Sequence, residues 1–245
     1  MHDEEKQLVR TAVWEALDAA GAVRDETAHG RIPNFFGAEA AARRLADLDI
    51  WKAAKVVKSV PDKAQLPVRS QALREGKIVY MAVPKLATRR PFYLLDPQKL
   101  SVPHDFAASS KHAADVAPTV DVDQLRPIDV VVLGSVAVNR AGVRIGKGAG
   151  YSDLEFALLS EAGLIRRETL VVTTVHSLQV VDGAIPATEH DVNVDLIVTP
   201  DEVIQCTTPH RPPGIFWEHL DERKISSIPA LLAQSQSRTV EDRHS

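Results

Sequence analysis

Cysteine is almost absent: Cys206 is the only one in 245 residues. No internal disulfide and no thiolate zinc cage can form, which fits a reducing compartment. Long hydrophobic runs are missing too, and none approaches the roughly 20 apolar residues that span a bilayer. The opening stretch MHDEEKQLVR is acidic and lacks the apolar core of a signal peptide. These absences predict a cytoplasmic protein without a membrane partner. An excess of positive charge is also lacking, the formal net charge being −4. No basic patch is interleaved with aromatics, so nucleic acid is not an expected partner. An anionic ligand must be held by a local cluster of donors, not by the overall field. The nine histidines show no pair at metal-ligand spacing, and no zinc site is expected from them.

What is present is an ordinary soluble composition, 44% hydrophobic and 25% charged. Residues 4–20 read as an amphipathic helix, with Leu8, Val9, Val13 and Leu17 on one side and Gly21 as its stop. An alanine-rich helix is expected over 38–48. AAKVVKSV and GKIVYMAV read as short strands on either side of a helical run at 70–74, which makes a βαβ-like unit. Residues 86–127 carry five prolines (Pro91, Pro97, Pro103, Pro118, Pro127) and read as a long irregular segment. IDVVVLGSVAV reads as one continuous strand buried on both faces. A helix YSDLEFALLSEAG ends at Gly163, and ETLVVTTVH and VDLIVTP supply two more buried strands. This alternation predicts an α/β fold, a single-domain, layered, mainly parallel sheet with helices on both faces. The domain is expected to cover 1–232, with 233–245 as a polar, disordered tail.

Glycine is also scarce, 12 in all, yet three of them fall within VRIGKGAGYSDLE, residues 143–155. Gly146, Gly148 and Gly150 alternate with Lys147 and Ala149 just before Tyr151 and Asp153. Strand, glycines, then helix is a general recipe for an anion site, because backbone N–H groups converge and the helix N-terminus adds positive potential. The dinucleotide order G-x-G-x-x-G does not fit, and neither does the Walker loop, which needs Ser or Thr after its lysine. Arg144 and Lys147 still offer phosphate donors, and Asp153 offers a hard oxygen ligand for magnesium. On these residues alone, a glycine turn with solvated cations remains the competing reading. Lys6 and Arg10, four apart, stack on one face of the first helix. They are either snorkelling cations on a helix rim or a clasp for a polyanion.

The run AVNRAGVRIGKGAGYSD resembles the signature of the 5-formyltetrahydrofolate cyclo-ligase family. Two more blocks match in order: Lys6 and Arg10 as Lys-x-x-x-Arg, and Gln179-Val180, Pro186, Glu189-His190-Asp191, Asp195 and Thr199 as the third. The resemblance implies the cyclo-ligase fold and MgATP-dependent closure of 5-formyltetrahydrofolate to 5,10-methenyltetrahydrofolate, ADP and phosphate. The formyl oxygen would attack the γ-phosphate, and N10 would then close on the activated carbon. The resemblance assigns the neutralisation of the transferring phosphoryl to Lys6, Arg10, Arg144 and Lys147. It assigns ATP binding to these four together with Gly146, Gly148, Ala149, Gly150, Tyr151 and Asp153, and Mg2+ binding to Asp153 and Asp191.

The chain departs from the family pattern on one side only. Ser152 replaces a second tyrosine, and Leu154 and Glu155 stand where a basic residue commonly follows. Gln65-Leu66-Pro67 replaces the Glu before a Thr that helps hold the pterin, and residues 30–35, GRIPNF, are an insertion. The phosphate side is intact. This asymmetry, together with RPPGIFWEHL near the C-terminus, resembles a divergent branch linked in some members to thiamin metabolism. It keeps open a nucleotide-binding paralogue without cyclo-ligase activity, regulatory or thiamin-linked.

Overall fold

Short runs of Val and Ile without a polar side have to be covered above and below, and such runs form the centre of the structure. A computed structural model describes residues 2–207 and 210–242. The first half contains α1 (His2–Ala19), α2 (Ala38–Ala46), α3 (Asp49–Ala53), β1 (Val56–Ser59), α4 (Leu66–Arg74), β2 (Ile78–Ala82), β3 (Phe92–Leu95), α5 (His104–Ala107), α6 (Ala113–Val116) and β4 (Thr119–Val120). The second half contains β5 (Ile128–Leu133), β6 (Ala137–Asn139), β7 (Arg144–Ile145), α7 (Tyr151–Glu161), β8 (Ile165–Thr174), β9 (Val180–Val181), β10 (Leu196–Val198), β11 (Val203–Gln205), α8 (Glu222–Ser227) and α9 (Pro229–Asp242).

The main sheet runs in the order β11-β10-β8-β5-β1-β2-β3-β4. From β10 to β2 the neighbours are parallel, while β11, β3 and β4 join antiparallel at the edges. One face packs Val57, Val79, Val130 and Val132 against α1, α2 and α4. The other packs Val56, Tyr80, Val131 and Val171 against Phe156 and Leu159 of α7. The expected α/β architecture with helices on both faces is therefore present. A smaller sheet, β7-β6-β9, carries the strand that leads into the glycine loop.

Three expectations change. The irregular segment 86–127 contains β3 and β4, two antiparallel strands of four and two residues at one end of the sheet, β4 being its edge. Pro91 and Pro118 immediately precede them, and proline is tolerated at the start of a strand, where its missing N–H breaks no ladder. The run IDVVVLGSVAV is two strands in different sheets: β5 ends at Leu133, the Gly134 carbonyl accepts a hydrogen bond from Arg144 at 3.1 Å, and the chain bends at Val136 before β6. Helix α9, Pro229–Asp242, runs across the boundary expected at 232, and residues 243–245 of the expected tail lie outside the described residues. Buried Ala230 and Leu231 anchor that helix against Leu86 and Leu158.

The hairpin between β6 and β7 turns at Gly142, with φ +95°, where a Cβ would stand 2.4 Å from the Val194 carbonyl oxygen and 2.9 Å from Cys206 Cβ. Gly142→Ala is expected to destabilise the fold by about 1–3 kcal/mol through strain and overpacking. A shift of the denaturant midpoint without a change in slope would show it, and an unshifted midpoint would refute it.

Candidate functional site

Helix α1 is amphipathic, and its buried line of Val13 and Leu17 continues through Arg10 and Lys6, which are only 8% and 7% exposed. These cations do not snorkel. Arg10 Nε donates to the Gly146 carbonyl at 2.8 Å, and Lys6 Nζ donates to Asp191 Oδ2 at 2.6 Å. Helical spacing has thus brought two charges, one turn apart, onto the glycine loop and onto the loop before β10. Burial depresses the Arg10 pKa, and the nearby Asp3 and Asp191 carboxylates partly offset this.

The loop itself is shaped by its glycines. Gly148 has φ +104°, and its missing side chain leaves its backbone beside the Arg10 guanidinium. Gly150 precedes α7, whose first turn carries Asp153. Asp153 Oδ1 accepts from Arg144 Nη1 at 2.9 Å and from the Val192 amide at 3.1 Å. The second contact holds the peptide next to Asp191 against Asp153, so two carboxylates 38 positions apart converge at one end of the loop. Asp191 Oδ2 also accepts from the Thr188 amide at 2.6 Å and its hydroxyl at 3.0 Å. Burial pushes the Asp191 pKa up, but the bonds from Lys6 and Thr188 outweigh it and leave the carboxyl below its ordinary value.

A cavity of about 340 Å³ opens over these groups. Lys6, Arg10, Gly146, Gly148, Asp153 and Asp191 line its polar end, and Gly150 lies beside them. Arg144 lies beneath, 2% exposed, with its Nε buried and without a partner. Lys147 is set apart. It pairs with Asp62 at 3.6 Å and lines a different cavity with Asp25 and Arg31. Ala149 is exposed at the loop tip, and Tyr151 packs toward the cluster of Leu86 and Leu158.

Sequence reading missed the other end of this cavity. Leu154 and Ala157 of α7 face Ile215, Phe216 and Leu220, so one pocket has a charged end and an apolar end. The unusual run RPPGIFWEHL was visible, but nothing in its spacing shows that it folds back over α7. The contact is specific: Trp217 Nε1 and the Ile215 amide both donate to the Glu161 carboxylate, at 3.2 Å and 3.1 Å. Asp3 at the start of α1 also lines the pocket and was not anticipated.

The position expected to face a pterin is buried. Gln65 is fully buried, with Nε2 donating to the Thr174 carbonyl and hydroxyl at 3.2 and 3.3 Å and Oε1 unpartnered. The insertion at residues 30–35 packs inward, with Phe35 fully buried and Ile32 8% exposed. No helix among the described residues is long and apolar enough to cross a membrane.

Comparison with known proteins completes the description. A sequence model of the 5-formyltetrahydrofolate cyclo-ligase family matches residues 2–200. The chain is 37% identical over 234 residues to a methenyltetrahydrofolate synthase domain-containing protein of Homo sapiens, covering 92% of this chain and 60% of that protein. The Danio rerio protein of the same description is 35% identical over 233 residues, with 93% and 61% covered. The chain therefore spans about three fifths of the length of these relatives. A mitochondrial 5-formyltetrahydrofolate cyclo-ligase of Arabidopsis thaliana is 34% identical over 114 residues, covering 42% of this chain and 41% of that protein. The NMR structure of a 5,10-methenyltetrahydrofolate synthetase from Aquifex aeolicus superposes with a TM-score of 0.51 at 22% identity, covering 83% and 92% of the two chains, which shows a shared fold.

Proposed function

This chain belongs to the 5-formyltetrahydrofolate cyclo-ligase family, and from that premise we propose that it binds MgATP between α1 and the glycine loop and closes a 5-formyltetrahydrofolate-type substrate to its methenyl product, releasing ADP and phosphate. The observation that supports this is the convergence of Lys6, Arg10, Asp153 and Asp191 on the glycine loop in one cavity. Such chemistry needs positioned charge and no covalent nucleophile. Lys6 and Arg10 orient the phosphates from one side and the loop amides from the other. Arg144 holds Asp153 from beneath. Lys147 acts only if its exposed side chain leaves Asp62.

The donor set fits magnesium: two aspartates on converging segments supply hard oxygens, with water and nucleotide oxygens free to complete the shell. Asp153 and Asp191 would hold the ion, which when bound supplies neutralisation of phosphate charge. Lys6 and Arg144 now occupy those carboxylates. Nucleotide binding therefore means that Lys6 turns from Asp191 to phosphate, while buried Arg144 keeps Asp153 in place. The apolar end lined by Leu154, Ile215 and Phe216 suits the nucleotide's base. Cys206, its thiol pushed up to about 11 chiefly by burial, stays protonated and takes no part in the proposed chemistry.

A second reading rests on Gln65. A buried, neutral amide that bonds Thr174 favours a nucleotide-binding relative that does not close folate, with a regulatory or thiamin-linked role. One experiment separates the two. With MgATP and 5-formyltetrahydrofolate, near-ultraviolet absorbance of the methenyl product should rise with ADP in equal amounts. ADP without that absorbance would favour the second reading and another acceptor. Neither product, together with no thermal stabilisation by MgATP, would refute both.

A further inference from the structure

Donor groups from two segments distant in sequence, Glu189 and His190 on one and His219 on the other, meet at the rim of the cavity, which His190 and His219 help to line. His219 Nδ1 stands 3.1 Å from His190 Nε2 and 3.6 Å from Glu189 Oε1. All three ligating atoms lie within 4.8 Å of one another. Two donors bound about 2.0–2.1 Å from a tetrahedral dication are roughly 3.3 Å apart, so small side-chain rotations make these atoms the corners of one coordination shell.

The surroundings fix that arrangement. Phe216 meets the His190 ring edge-on, with centroids 4.8 Å apart, and lies parallel to the His219 ring at 5.7 Å. His210 Nε2 bonds the Glu189 carbonyl at 2.9 Å, steadying the backbone that carries two of the donors. All three donor residues are exposed, which gives a dication an open approach and leaves its fourth position to water. Two imidazole nitrogens and one carboxylate select a transition metal, whereas magnesium takes oxygen donors. Asp191, next in the chain, points the other way, to Lys6 and Thr188.

We propose that Glu189, His190 and His219 form a binding site for a transition-metal dication of the Zn2+ class, separate from the two aspartates and independent of the nucleotide reading. The bound ion ties the 217–219 turn, which closes the apolar end of the cavity, to the loop that carries Asp191. The histidines are 29 positions apart, which is why their spacing predicted no zinc site.

Titration of the whole chain with Zn2+ alone, by calorimetry and by competition with a chromophoric chelator, tests this. One Zn2+ per chain is expected. His190→Ala and His219→Ala should each weaken binding at least about tenfold, and Glu189→Gln by less, with circular dichroism unchanged. Asp153→Asn, Asp191→Asn and Cys206→Ser should retain the affinity, and Co2+ at the same site should give intense visible bands of tetrahedral type. Absence of Zn2+ binding would overturn the proposal. So would affinity that survives both histidine substitutions, or that is lost in the aspartate or cysteine variants.

Discussion

Arg144→Ala is expected to slow MgATP-dependent ADP release by about 10²–10³-fold, the usual cost of removing one fixed donor from a charge-stabilising site. The guanidinium spans two elements. Nη2 holds the Gly134 carbonyl at the end of β5, and Nη1 holds Asp153 in the first turn of α7. Alanine would leave that carbonyl without its cation and Asp153 with the Val192 amide alone among these two bonds. The carboxylate would be free to swing away from the loop. Arg144→Lys separates positioning from folding: lysine keeps the charge but cannot present two donors in a fixed plane. It should fold, as read by circular dichroism, and still lose most of the turnover. ADP release within about threefold of the parent in the alanine variant would show that the loop needs no support from beneath. Because ADP is measured, the test holds whatever group accepts the phosphoryl.

Lys58→Met should destabilise the fold by about 3–5 kcal/mol, the cost of leaving a buried charge without its partner. Lys58 sits on β1 beside Val131 and is fully buried. Its Nζ lies 2.5 Å from Glu155 Oε2 on α7, whose side chain is 4% exposed. The pair crosslinks the sheet to the helix that begins at the glycine loop. Replacing both, Lys58→Met with Glu155→Leu, should return stability to within about 1 kcal/mol of the parent or above it, since an apolar pair of similar volume avoids desolvating two ions. Additive losses in the double variant would contradict this.

The single Lys58→Met variant has a further signature. Burial already raises the Glu155 pKa above 4.5; Lys58 opposes the rise, and Asp62 and Asp153 add to it. Without the lysine, the carboxyl ionises at lower pH in the unfolded chain than in the folded protein. Stability is then fully present below about pH 4.5 and lost as pH rises through the folded value. The variant should therefore resist denaturant better at pH 5 than at pH 8. A flat or inverted profile would argue against a buried, unpaired carboxylate.

Much of the architecture was legible because apolar periodicity is local. The runs IVYMA and VVVL were legible as strands, but the face of α1 was only half legible: Val13 and Leu17 are buried as expected, whereas Leu8 is exposed and Lys6, Arg10 and Trp14 complete the buried side. Segment 86–127 hid its two strands because four residues, or two, carry no measurable period, and prolines marked the wrong boundary. Gly134 read as one more small residue inside an apolar run, although a guanidinium from ten positions on captures its carbonyl and the strand ends there.

The site divides in the same way. The glycine alternation, the Lys6–Arg10 spacing and the first-turn position of Asp153 were all written in the sequence, because each depends on neighbours within a turn. That Arg144 lies beneath the loop, that Lys147 leans to Asp62, and that residues 212–220 wall the apolar end depends on contacts between distant segments. Nothing in AAKVVKSV marked Lys58 as the buried partner of a carboxylate 97 positions away. The sequence alone determined which elements form and which short motifs carry charge, since backbone geometry sets those within a few residues. Only the tertiary structure decided which charges meet, because pairing across the fold depends on how helices and loops pack, and no local period records that.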